Sequence, residues 1–443
     1  MYKGRYMAQI FRAKKTSGKG EVMEVGIDSL DHQGRGVAKY KGKVGFIEGA
    51  LPGERVKVRV SQQKAKLFEG TVDKVITASE QRVDAFCPHY QQCGGCSLQH
   101  LDKPAQLGHK QLAVEKLFSK FSGTDALPWA SPIESDGRHY RRAARIATYF
   151  DKKEKVLKLG FRAAKSKKLV DVVDCGVLTQ VYQSVFVDLR EILNSDSQLR
   201  SVSHIQLCEA DNAPYILLRH TKAIDDTIKQ GVHTQFEQRG WRTVWDDGNA
   251  DPYYSVLPEY QVNGTEFQFR LNNFIQVNAA VNSAMLDQAL SWLELTGQEK
   301  VLDLFCGIGN FSLLFAKQAK QVIGVEGVAS SVAMATQNAH TNEIDNAQFF
   351  QFDLTQEMAS AQWFSQELDT LVLDPSRTGA YDVLKQLPLG QFNQVLYVSC
   401  DPVTLARDSA LILQAGFTVS KVALMDMFPH TGHIETMALF QRR

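Results

Sequence analysis

Three patterns of hydrophobic and polar positions follow one another along the chain. Over residues 21–78 apolar and polar positions alternate in short runs: EVMEVGIDSL, GRGVAKYKGKVGFIEG, RVKVRVSQQK and LFEGTVDKVIT. Period two, interrupted by Gly, Pro or polar turns, predicts a small antiparallel β-barrel. From residue 278 onward, short apolar runs alternate with helical spacing. A helix over 279–295 leads into the strand VLDLF, and a helical pattern starts at about Phe311. Strand QVIGVEG, helix 329–341 and strands QFFQFDL and DTLVLDPS come next, then helix 380–387, strand QVLYVSCDP and helix 403–415. Strands joined by helical crossovers predict a doubly wound parallel sheet. The closing pair, VSKVALMDMF and IETMALFQ, adds an antiparallel edge.

The stretch between these two patterns is mixed. A helix over 104–120 is followed by a proline-marked break, LPWASPI. HYRRAARIATYF and KLGFRAAKSKKLVDV then alternate as a basic β-hairpin, and HIQLCEA and APYILLRH read as paired strands. Residues 1–20, basic and Gly/Ser-rich, read as disordered. The domains expected are a barrel over 15–78, a central α+β domain over 79–275 and an α/β domain over 276–443.

Composition sets the class. Hydrophobic content of 44% and charged content of 22% are those of a soluble globular chain. No apolar run approaches the roughly 20 residues of a membrane helix, and no secretory signal is evident, so the expected compartment is the cytoplasm. The net charge of +1 conceals a segregation. Residues 1–80 carry 16 basic and 9 acidic side chains, residues 138–170 carry 12 and 2, and residues 276–443 carry 9 and 17. Two basic modules joined to an acidic one point to a polyanionic partner. Arg138, Arg141, Arg142, Arg145, Arg162, Lys165, Lys167 and Lys168 are the candidate phosphate contacts.

Four cysteines stand out by spacing: Cys87, Cys93 and Cys96 in CPHYQQCGGC, and the distant Cys175 in VVDCGVL. Close thiols in a reducing compartment are a ligand pattern. Spacing alone leaves zinc and an iron–sulfur cluster both open, and His89 and His100 are further plausible zinc ligands. Cys208 and Cys306 read as structural.

In a doubly wound sheet, ligands sit beyond the C-terminal strand ends. Those ends carry Asp303 and the turn CGIGN, then Glu326, Asp353, Asp374 and Cys400. Glu326 suits ribose hydroxyls and Asp353 an adenine amino group. Both would also fit NAD, but GIGN lacks the GxGxxG spacing that cradles a pyrophosphate. DPSRTG at the fourth strand resembles the motif of S-adenosylmethionine (SAM) methyltransferases. Cys400, in the polar turn SCDP, is the candidate nucleophile, opposed by Asp401 unless that side chain turns away. Glu435 in FPHTGHIE is the candidate base, with His430 and His433 beside it.

Taken together, FIQVN, DLFCGIGNF, GVE, DPSRTG, YVSCDP and FPHTGHIE resemble the RNA uracil-5-methyltransferase family. GRGVAKYKGKVGFIEGALPGERV resembles a TRAM domain, an OB-like RNA-binding module. The barrel and the four cysteines resemble the branch of the family that acts on 23S ribosomal RNA. A transfer RNA or another rRNA uridine is the alternative substrate. The resemblance implies a Rossmann-like SAM methyltransferase domain behind an OB-like (TRAM) barrel and a central α+β iron–sulfur domain, in a monomer. It implies a [4Fe-4S] cluster on Cys87, Cys93, Cys96 and Cys175, with Cys400 adding to uracil C6 and Glu435 removing the C5 proton. It places Gln276, Phe305, Asn310, Glu326, Asp353 and Asp374 around the S-adenosyl-L-methionine site, Asp374 also holding the uracil edge. Phe274, Arg141 and Arg142 would meet RNA, and helix 98–124 would pack on the catalytic domain. Ser376 departs from the family pattern, where a second proline is common.

Overall fold

The computed structural model describes residues 9–10, 20–364 and 366–442. The segment expected to be disordered, 1–20, lies outside the described residues except for Gln9–Ile10 and Gly20. The chain divides into two compact units. One comprises Met1–Gln106, Asp136–Pro258 and His430–Gly432; the other comprises Leu107–Ser135, Glu259–Pro429 and His433–Arg443.

The first unit holds two sheets. In the N-terminal sheet the strands lie in the order Val22–Gly26, Arg55–Gln63, Leu67–Thr77, Lys43–Glu48, Gly36–Tyr40, Ser29–Leu30. Alternation buries Met23, Val25, Ala38, Ile47, Val56, Val58 and Phe68 on one side. The sheet is not antiparallel throughout. Lys43–Glu48 runs parallel to Leu67–Thr77, because the intervening strand Arg55–Gln63 reverses the chain before it returns. Gly45 in this pair has no room for a side chain, since the Phe68 ring occupies that place. Buried Glu54 ties the sheet to the segment after it, accepting from Leu51 N–H at 2.8 Å, Ser79 N–H at 3.2 Å and Arg82 Nη2 at 2.8 Å.

The second sheet of this unit has seven strands, ordered Gln9–Ile10, Lys168–Asp171, Val156–Arg162, Ala143–Asp151, Val202–Glu209, Pro214–His220, Arg242–Asp246. Ala143–Asp151 and Val156–Arg162 form an antiparallel hairpin, and Val202–Glu209 pairs antiparallel with Pro214–His220. Ile146, Leu159, Ile205 and Leu218 bury against helices Val185–Asn194 and Asp226–Glu237 through Phe186, Leu189, Val232 and Phe236.

The second unit is built on β1 (Lys300–Leu304), β2 (Gln321–Glu326), β3 (Ala347–Gln351), β4 (Thr370–Leu373), β5 (Gln394–Ser399), β6 (Phe417–Met425) and β7 (Glu435–Arg442). Their order is β3-β2-β1-β4-β5-β7-β6. The first five are parallel, and β7 is antiparallel to both β5 and β6. Runs such as VLDL and TLVL are buried on both faces, as a helix-covered sheet requires. The helices are α1 (Ala279–Leu293), α2 (Ser312–Ala316), α3 (Ala329–Thr341), α4 (Tyr381–Gln386) and α5 (Pro402–Gln414). Helix α2 is shorter than FSLLFAKQAK predicts: Gln318 and Ala319 both donate to the Phe315 carbonyl, turning the chain into β2.

Two additions to this unit precede residue 276. The hairpin Glu259–Val262/Thr265–Gln268 lies along α3, where Asn338 and Asn342 replace a neighbouring strand. Asn338 Oδ1 accepts from Gln268 N–H at 2.9 Å and its Nδ2 donates to Gln268 O at 3.0 Å. Asn342 does the same for Glu266, at 2.8 and 2.7 Å. The helix Lys103–Ser122 belongs to this unit from Leu107 onward, with Val114 and Phe118 in its core. After it, residues 128–133 run along β6: Val422 N–H donates to Pro128 O at 2.9 Å, Ala130 N–H to Val422 O at 2.7 Å and Ile133 N–H to Leu424 O at 2.9 Å. Among the described residues, no helix is long and apolar enough to cross a membrane.

Candidate active site

The turn after β1 is shaped by three left-handed residues: Phe305 (φ 67°), Gly307 (φ 57°) and Gly309 (φ 89°). A Cβ on Gly307 would meet nothing within 4 Å, so the backbone faces open space there. Phe305 takes the same conformation with a side chain, at a cost of about 1 kcal/mol, and is half-buried against the core. Glu326, at the end of β2, binds both sides of the opening, accepting from Gly307 N–H at 3.3 Å and Val328 N–H at 2.9 Å. Asp353 follows β3 and is exposed; hydrogen bonds from the Thr355 hydroxyl (2.7 Å) and N–H (3.0 Å) hold its pKa below the usual value. Asn310 is engaged elsewhere. Its amide pairs with Asn282, Nδ2 to Oδ1 at 3.0 Å, and accepts from the Tyr260 hydroxyl at 2.8 Å. It therefore holds the turn to α1 and the hairpin. Behind the turn, burial pushes fully enclosed Asp303 up to about 7, while its carboxylate accepts from Ser312 Oγ.

The ends of β4 and β5 and the start of β7 carry the second half of the site. Asp374, Cys400 and Glu435 are each half-buried and electrostatically coupled. Burial, with Glu435 and Asp374 beside it, raises the Cys400 thiol to about 11. Burial and Asp374 raise Glu435 to about 8, against the opposing charges of Lys110 and Arg377. Burial raises Asp374 to about 7. Asp401 is turned away from the thiol: its carboxylate caps α5, accepting from Val403 N–H at 2.9 Å and Thr404 N–H at 3.2 Å. Gln276 is half-buried just before α1, and Phe274 is 74% exposed. Of FPHTGHIE, Glu435 belongs to the second unit and His430 to the first, where its carbonyl accepts from Ser97 and Leu98.

The first unit brings the four cysteines together. The Cys96 thiol is driven up to about 12 by burial and by the charges of Cys175, Cys93 and Cys87. Cys175 is pushed up to about 11 by burial, with Cys93 and Cys87 adding to it. Gly95 N–H points at Cys93 Sγ, 3.4 Å away, and Gly94 N–H donates to Arg162 O at 2.9 Å. His89 Nε2 accepts from Val173 N–H at 3.4 Å, and His100 Nδ1 is bonded to the Tyr90 hydroxyl. Among the described residues, no group of three or more His, Cys, Asp or Glu is placed so that it could hold a metal ion.

Comparisons with known proteins agree with this geometry. A TRAM domain model matches residues 16–72, and a model described as tRNA (Uracil-5-)-methyltransferase matches residues 251–443. The 23S rRNA (uracil(1939)-C(5))-methyltransferase RlmD of Pseudoalteromonas translucida is 56% identical over 99% of this chain and 100% of its own length. The chain belongs to the RNA uracil-C5-methyltransferase family. A second RlmD, from Vibrio cholerae, is 44% identical over 99% of this chain and 100% of that protein. The fold matches that of Pyrococcus abyssi tRNA (uracil-54, C5)-methyltransferase in complex with S-adenosyl-L-homocysteine. That match has a TM-score of 0.72 and 22% identity, and covers 94% of this chain and 100% of that one.

One expectation for this family member changes. Arg142 is 4% exposed and lies against Cys208 inside the first unit, so it does not present a guanidinium to phosphate. It directly precedes Ala143–Asp151, and the pleat turns it inward. Arg141, half-buried, donates from Nε to the Ala143 carbonyl at 3.0 Å. Two residues escaped sequence reasoning. Arg377 in DPSRTG acts electrostatically on both Cys400 and Glu435, and Lys110 acts on Glu435 from a distant helix. For Arg377 the signal was its place in the motif.

Proposed function

We propose that this protein transfers a methyl group from S-adenosylmethionine to C5 of a uridine in 23S ribosomal RNA, giving 5-methyluridine. The observation that carries the reading is the convergence of Cys400, Glu435 and Asp374 at neighbouring strand ends of a SAM-methyltransferase sheet. Uracil C5 is too electron-poor to attack a sulfonium methyl unaided. The Cys400 thiol gives up its proton to water, and addition of the thiolate to C6 pushes the C5–C6 electron pair toward C5 and O4, making C5 an enolate-like nucleophile. SAM supplies the electrophilic methyl. Glu435 then takes the C5 proton, and elimination breaks the Cys400–C6 bond. With a thiol near 11, on the order of one Cys400 in ten thousand is ionised at neutral pH. Activation therefore comes with the bound base, which excludes water and brings Asp374 to the uracil edge.

The open backbone at Gly307, the Glu326 carboxylate and exposed Asp353 suit the cofactor's amino-acid, ribose and adenine groups. Phe305 and Gln276 would border it, and Asn310 would hold the turn in place. Exposed Phe274 would stack on an unpaired base. The barrel, the outward-facing basic residues and Arg141 would track the RNA backbone. The converging thiols of Cys87, Cys93, Cys96 and Cys175 fit a [4Fe-4S] cluster, which would supply cross-linking of that loop to the sheet. Burial, and after it the charges of the neighbouring thiols, raises the Cys96 and Cys175 thiols, and a bound cation would offset both. The N–H of Gly95 aimed at Cys93 Sγ is the hydrogen bond such a sulfur accepts.

The test is methyl transfer from labelled SAM to unmodified large-subunit rRNA and, separately, to tRNA, with the product nucleoside identified. Label in 5-methyluridine of rRNA, lost in Cys400→Ala, is the expected result. Label only in tRNA would move the protein to the transfer-RNA branch of the family. Label in neither would overturn the assignment.

A further inference from the structure

The helix Lys103–Ser122 turns Leu107, Val114 and Phe118 into the second unit's interior. Lys110 occupies the same stripe, three residues after Leu107 and four before Val114, yet it ends in an ammonium. Its side chain is 6% exposed, and Nζ lies 3.3 Å from Oδ1 of Asp426, itself 2% exposed. Asp426 follows β6 directly and is pinned by its backbone: its N–H donates to Ile133 O at 2.8 Å, and its carbonyl accepts from Ser135 Oγ at 3.4 Å and Asn278 Nδ2 at 3.5 Å. Across the β6–β7 pair, Met425 stands opposite Glu435. A buried ion pair of this kind is a poor stabiliser, because desolvating two charges consumes most of their attraction. A charge on an apolar stripe calls for another reason.

We propose that Lys110 is a positioning residue for Glu435: held by Asp426, its ammonium supports the carboxylate form of the base from outside the motifs of the methyltransferase domain. This rests on the reading of Glu435 as the group that removes the C5 proton. The groups acting on Glu435 are Asp374 and Arg377 from the end of β4, Cys400 after β5, and Lys110; His433 lies against Arg377, and Asp426 against Lys110. Asp374 opposes ionisation of Glu435, whereas Lys110 and Arg377 favour it. Burial lowers the pKa of Lys110 itself, while Asp426 and then Glu435 oppose that shift, so one ammonium serves two carboxylates. Arg377 is exposed and screened by solvent; Lys110 is not, so its effect survives high salt.

Single-turnover methyl transfer to an rRNA fragment, followed from pH 6.5 to 9.5, tests this in wild type, Lys110→Met, Lys110→Arg and the double variant Lys110→Met/Asp426→Leu. The midpoint of the rising limb is expected to move up by about one unit in Lys110→Met, making it about tenfold slower near neutrality and equal to wild type at the alkaline end. The double variant, which leaves no orphaned charge, should show the same shift with its fold intact, and Lys110→Arg should keep the wild-type midpoint. Covalent trapping on 5-fluorouridine RNA precedes proton removal and should proceed at the wild-type rate in all four. An unmoved midpoint in the double variant, or a loss by one factor at every pH, overturns the proposal. Absence of the trapped adduct in wild type would instead remove the reading of the site on which it rests.

Discussion

Cys96 in the first unit and Cys400 in the second hold their protons for different reasons, although burial raises both thiols to about 12 and 11. Around Cys96 the other influences are a hydrogen bond with Gln99 and the charges of three more thiols. Around Cys400 they are two carboxylates and a guanidinium. Thiols that disfavour one another's ionisation would be relieved together by a cation, which would take the place of their protons. A single sulfur among acids has no such partner, and it ionises only when a ligand changes its surroundings. On the proposed reading the first arrangement would store a cofactor, and the second would keep a nucleophile silent until the substrate arrives.

Substitution separates the two. Cys400→Ala should lower methyl transfer at least about ten-thousand-fold and abolish the adduct with 5-fluorouridine RNA, while leaving iron and sulfide content unchanged. Cys96→Ser should do the reverse: iron and sulfide near four each in anaerobically purified wild type should fall, and the first unit should melt earlier, with SAM affinity measured by calorimetry preserved. Zinc alone in the wild type would break the comparison at its cofactor side.

Acid–base behaviour sharpens it further. Glu435 is raised from 4.5 to about 8, so the folded protein retains a proton that the unfolded chain releases. Its contribution to stability is full below about 4.5 and erodes as pH rises toward 8. Glu435→Gln should therefore lose turnover yet melt a few degrees above wild type at pH 9, with little difference at pH 5. Wild-type turnover should climb between about pH 7 and 9 as the base ionises. The smallest effect is expected at Asn338→Ala, which removes two hydrogen bonds to Gln268 and should cost about 1–3 kcal/mol in urea unfolding of the second unit.

The α/β architecture was legible because both of its periods are. Helix α3 spans Ala329–Thr341, where spacing alone puts it, and buried runs such as TLVL mark central strands. The candidate Cys400 stood out because a parallel sheet sends its strand ends to one side, and the candidate Glu435 stood out by its motif, since it opens the antiparallel β7. What escaped depends on partners distant in sequence. Asn338 and Asn342, in the last turn and at the end of α3, look like ordinary polar residues until Glu266 and Gln268 supply the backbone they pair with, so the boundary expected at 276 moves to Glu259. The parallel pair in the N-terminal sheet has the same alternation as an antiparallel one. Arg142 differs from Arg141 only in the parity of a pleat. Lys110 could have been caught as a cation on an apolar stripe, but nothing in the sequence says that Asp426 waits for it, 316 residues away.

The segment over residues 128–133 has a consequence for anyone who would cut this protein into parts. Strand β6 ends the seven-stranded sheet, and a bare strand edge is a template for any other chain. Here the template is already taken by a stretch that comes some 290 residues earlier than the strand it covers, with Trp129 donating to Glu115 at 2.8 Å to keep it seated. A fragment starting at Glu259 would hold every motif of the enzyme and still expose that edge. It would stick to its own copies. The early stretch serves the later domain as a selvedge does cloth, and in this chain the two belong together.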